Sequence, residues 1–78
     1  MATEPTHDET KRAILDVAEA VGTRAGEILG VQKIQMALHP TYRAADLQEA
    51  FNTMIAEGLI TYDGGRFIKL TEAGYAQI

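Results

Sequence analysis

A change of hydrophobic period at Gly58 constrains this chain more than any other feature. Upstream, apolar residues recur every three or four positions, the spacing that gathers them on one face of a helix. Downstream, Leu59-Ile60-Thr61-Tyr62 and Arg66-Phe67-Ile68-Lys69-Leu70 are runs rich in β-branched and aromatic residues, which suit pleated strands. Between the runs lies Asp63-Gly64-Gly65, short and glycine-rich as a tight hairpin requires. The order helix, helix, helix, strand, turn, strand predicts an α+β domain.

Each helix carries its own start and stop signals. Thr6 and Glu9 have the spacing of a capping box, with Asp8 and Glu9 at the positive end of the helix dipole. Ile14, Val17, Ala18 and Val21 then form the buried stripe of a first helix over about residues 8–21, closed by Gly22. Val31, Ile34 and Leu38 mark a short second helix that Pro40 ends, since the residue before proline is pushed out of the α region. The third helix starts within Thr41–Ala45, carries Leu47, Phe51, Met54 and Ile55 as its apolar stripe with Ala50 beside them, and stops at Gly58. Residues 23–30 read two ways. Gly22, Gly26 and Gly30 recur every four residues, as in a small-residue helix contact, but each glycine disfavours a helix interior by about 1 kcal/mol. A loop with a brief extended Glu27-Ile28-Leu29 is the favoured reading. Thr71 caps a last helical turn with Glu72, Ala73 and Tyr75. The expected organisation is a flexible tail over residues 1–6 and one domain over 7–78.

With 78 residues, the chain has room for one small core. It contains no cysteine and no serine, so disulfides, thiolate–zinc sites and the commonest activated nucleophiles drop out. His7 and His39 lie far apart in sequence, and a metal site needs three or four converging ligands. Asp63-Gly64-Gly65 lacks the lysine and following helix of a phosphate loop. The expectation is therefore a protein with no metal, no cofactor and no catalytic centre. The polar, acidic start is no signal peptide, and no apolar run approaches membrane-spanning length. A cytoplasmic protein without membrane attachment is expected.

The segment Met54-Ile55-Ala56-Glu57-Gly58-Leu59-Ile60, followed after the hairpin by Leu70-Thr71-Glu72-Ala73-Gly74, resembles the winged helix-turn-helix of bacterial transcriptional regulators of the MarR and PadR type. The resemblance runs from about Leu47 to Gly74 and is architectural elsewhere. It implies a three-helix bundle with a C-terminal β-hairpin wing. The third helix would enter the DNA major groove, and the wing would touch the backbone or minor groove. On that pattern Leu47, Phe51 and Met54 are buried, while Ala45, Asp46, Gln48, Glu49 and Asn52 face the bases. The candidate DNA-binding residues are Lys33, Tyr42, Arg43, Gln48, Asn52, Arg66 and Lys69. Tyr42 has two readings, a stacking or phosphate contact and a cover for the core.

Charge pulls against this function. The net charge is −4, whereas backbone affinity for DNA comes from lysine and arginine. Between Arg24 and Arg43 the local balance is +2, from Arg24, Lys33 and Arg43 against Glu27. Asp46 and Glu49 would still meet phosphates. Winged helices also serve as protein-binding modules, so the expected partner is double-stranded DNA or, alternatively, a basic protein surface. The MarR and PadR families dimerise through extra helices for which 78 residues leave no length. A monomer or weak homodimer is expected.

Overall fold

The computed structural model of the chain describes residues 6–78. The helices are α1 (His7–Val21), α2 (Val31–Leu38), α3 (Ala44–Ala56) and α4 (Glu72–Ala76), and the strands are β1 (Ile28–Gly30), β2 (Ile60–Asp63) and β3 (Phe67–Leu70). They make a small α+β domain whose antiparallel sheet has the order β1-β3-β2. No helix among the described residues is long and apolar enough to cross a membrane.

Local chemistry sets the boundaries. The Thr6 hydroxyl accepts from the Glu9 N–H at 3.1 Å, and the Thr6 carbonyl accepts from the N–H and hydroxyl of the buried Thr10. Thr6 therefore belongs to the domain, and the rest of the expected tail lies outside the described residues. Gly22 closes α1, and α2 ends at Leu38 with His39 extended ahead of Pro40. In the β2–β3 hairpin the turn is Gly64-Gly65-Arg66. Gly64 and Gly65 have φ of 77° and 75°, a conformation that costs an L side chain strain and glycine little.

The brief extended stretch expected at Glu27-Ile28-Leu29 is the third strand of the sheet, β1, one residue further on. Ile28, Leu29 and Gly30 pair with Lys69, Ile68 and Phe67. The pairing is prolonged by Gly26 N–H to Leu70 O at 2.7 Å and Leu70 N–H to Glu27 O at 3.1 Å. The sheet is thus wider than the expected two-stranded hairpin.

One core joins helices and sheet. Ile14, Leu15 and Ala18 of α1 pack with Ile34 of α2, Leu47, Ala50, Phe51 and Met54 of α3, and Leu29, Ile60, Ile68 and Leu70 of the sheet. Val17 and Leu38 sit at its edge. Val21, expected in the core, is 44% exposed. Val21 shares the face of Ile14 two turns earlier, but it is the last residue of α1, past Ala18, the last buried residue of the helix, so the core no longer covers it. Burial alternates along β3, so Ile68 and Leu70 face the helices while Phe67 and Lys69 face solvent. At the far end, Arg12 reaches from α1 to the Gln77 carbonyl at 2.7 Å.

Candidate functional site

α3 is held on both flanks. Toward α1, the His7 ring nitrogen Nε2 lies 2.8 Å from Thr53 Oγ1, and Lys11 Nζ lies 3.0 Å from Glu57 Oε1. The Glu57 carboxylate, as hydrogen-bond acceptor, raises the Lys11 pKa against the opposing effect of burial. Toward the sheet, Gln48 Nε2 lies 2.6 Å from Tyr62 Oη. These contacts leave a narrow strip of α3 facing outward, in which Ala45, Gln48, Asn52 and Ala56 are all exposed.

The two carboxylates expected on that strip lie at its α1 side. Asp46 is half-buried and, with Glu49, lines a small hollow shared with His7 and Thr10 of α1. Asp46 accepts from Arg43 Nε at 3.1 Å and from the Arg43 backbone N–H at 3.4 Å. The guanidinium hydrogen bond holds the Asp46 carboxyl below its ordinary value, with backbone and charge reinforcing it against desolvation. Arg43 is accordingly engaged at the amino end of α3, where a carboxylate also suits the helix dipole.

On the strip itself Gln48 and Asn52 stand one turn apart, with Gln48 Nε2 3.2 Å from Asn52 Oδ1. Tyr62 completes the group. Tyr62 is not among the candidates named from the sequence, although strand alternation carries the signal: it is two residues from the buried Ile60 and so shares the face that looks toward the helices.

The remaining candidates scatter. Tyr42 is half-buried and packs against the core, which is the covering role. Arg66 sits at the hairpin tip, and its carbonyl accepts from the Val31 N–H at 2.9 Å, tying the tip to the start of α2. Arg66 and Phe67 on the hairpin, with Gln32 and Gln35 on α2, line an open cleft of about 630 Å³. Lys33 is exposed on the first turn of α2, and its Cβ lies beside Gly30. Lys69 is on the solvent face of the sheet beside Ile28 and Thr61, away from Gln48 and Asn52. Among the described residues no cluster of His, Asp or Glu is arranged to hold a metal ion. No family model matches the chain, and neither a curated protein nor a solved structure matches it.

Proposed function

We propose that this chain is a small winged-helix DNA-binding protein that acts as a transcriptional regulator, with α3 as its recognition helix and the β2–β3 hairpin as its wing. The reading is supported by a third helix seated against the others and followed directly by a hairpin. The observation that carries it is the outward strip of α3. Asp46 is neutralised by Arg43 and lies with Glu49 on the α1 flank, so amides rather than carboxylates occupy the centre. Amide side chains at successive turns of a helix are suited to base edges in the major groove. Arg66 at the wing tip and Lys33 on α2 supply phosphate contacts.

A second reading, a winged helix that binds protein, draws on different features. The net charge is −4, and Ile28 and Phe67 are 50% and 43% exposed on the solvent face of the sheet. Titration against mixed-sequence duplex DNA at two salt concentrations separates the two. Binding that falls steeply with salt is expected from phosphate contacts. Absence of binding even at low salt overturns the DNA reading and leaves the protein partner.

A further inference from the structure

We infer that Gln48, Asn52 and Tyr62 form one unit that reads adenine in the major groove, with Tyr62 the residue that positions the two amides. The inference rests on the DNA-binding reading above and adds to it the base that is recognised and the device that selects it.

The argument begins with hydrogen-bond capacity. A glutamine amide nitrogen carries two hydrogens. Gln48 Nε2 has two acceptors in reach, Tyr62 Oη at 2.6 Å and Asn52 Oδ1 at 3.2 Å. Both hydrogens are spent inside the protein, leaving the Gln48 carbonyl oxygen as an acceptor and the Asn52 amide nitrogen as a donor. If both amides are turned over, the tyrosine hydroxyl donates to Gln48 instead, and the pair again offers one donor and one acceptor. The donor and the acceptor exchange places, but one of each faces outward in either case. Both side chains are exposed and sit at i and i+4, one above the other on a single helix face.

Only one base matches that pattern on its own edge. Adenine presents the N7 acceptor beside the N6 donor. Guanine presents two acceptors, cytosine a lone donor, and thymine an acceptor with a methyl group. Guanine would set its O6 against the acceptor of the pair. Tyr62 matters because it reaches α3 from a different element. Without its hydroxyl, Gln48 is anchored only by Asn52 and can rotate to present its amide hydrogens to any acceptor. Fixing the amides before DNA arrives also reduces the ordering cost of binding.

The test is selection of bound sequences from randomised duplexes at low salt. Titration of the selected duplex and its A·T→G·C variants then follows, on wild type, Tyr62→Phe and Asn52→Ala. Wild type is expected to favour A·T at one position by about tenfold, within the range of a single amide–adenine pair. Tyr62→Phe keeps the ring and removes the hydroxyl. It should reduce that preference to about twofold while leaving the circular dichroism spectrum unchanged. Asn52→Ala, at an exposed helical position, should do the same. Duplex binding with no adenine preference, or a preference that survives both substitutions, overturns the inference while the DNA reading stands. Absence of duplex binding by the wild type overturns the DNA reading and this inference with it.

Discussion

Thr71 and Gly74 show how two residues tie the last helix to the sheet. The Thr71 hydroxyl oxygen accepts from the Gly74 N–H at 3.0 Å and lies 2.7 and 2.8 Å from the carbonyl oxygens of Gly58 and Leu59, which share its proton. The Thr71 N–H donates to the same Leu59 oxygen at 3.1 Å. This draws α4 so close to the start of β2 that a Cβ on Gly74 would overlap the Leu59 carbonyl and lie 2.9 Å from Leu70 Cδ1. The spacing Gly58-Leu59 … Leu70-Thr71-x-x-Gly74, visible in the sequence, therefore has a steric cause. Gly74 is glycine for want of room, not for backbone freedom. Gly74→Ala should destabilise the domain by about 3 kcal/mol, the upper part of the range for overpacking, because the atom it meets is backbone. Urea denaturation measures this. A loss under about 1 kcal/mol would mean that α4 lifts off the sheet almost without cost.

At the scale of elements, α3 organises the molecule, and its first turn depends on Asp46. In the folded chain Asp46 is held below its ordinary value of 3.8 by Arg43. A carboxyl with a depressed folded pKa contributes stability that is complete above the unfolded value and disappears as pH falls through the folded one. Wild type should therefore be more stable than Asp46→Asn at neutral pH, and the difference should shrink as pH falls below about 3.8 and vanish only once the pH is below the depressed folded value. Denaturant midpoints of both proteins from pH 7 downward supply the comparison. A difference that stays constant with pH would show that the charge of Asp46 plays no part. The helices and the hairpin were legible in the sequence because their signals are local: apolar spacing, Thr6, Gly22, Pro40 and the paired glycines of the turn. For β1 only the brief extended stretch Glu27-Ile28-Leu29 was legible; its place in the sheet was not, because it comes from pairing with Phe67–Lys69, far along the chain. The site was legible in the same partial way. Periodicity put Gln48 and Asn52 outward but could not say that Asp46 and Glu49 turn toward α1, nor that Tyr62 reaches across to Gln48. Both depend on which element packs against which flank.

For the whole molecule the decisive quantity is where an acidic chain keeps its positive charge. Lys11 and Arg12 are paired with Glu57 and Asp16, and Arg43 with Asp46. Arg24, Lys33, Arg66 and Lys69 make no ion pair among the described residues, and Lys69 looks away from α3. On the proposed DNA-binding reading, phosphate contacts from Lys33 and Arg66 predict that log K falls with log salt at a slope of about −2. Arg66→Ala should weaken binding to all sequences alike and make the slope shallower by about one. Glu49 gives the complementary test, because it is exposed on α3, no hydrogen bond among the described residues uses its carboxylate, and it takes no part in the α3 cap. Its charge opposes phosphate and would attract a basic protein surface, so Glu49→Gln separates the two functions by sign. If α3 lies in the groove, non-specific duplex affinity at low salt rises, and the gain shrinks as salt screens the repulsion. If the partner is a basic protein, the substitution slows association instead. A Glu49→Gln protein that folds normally and binds duplex no better at low salt would show that α3 does not lie against the phosphates.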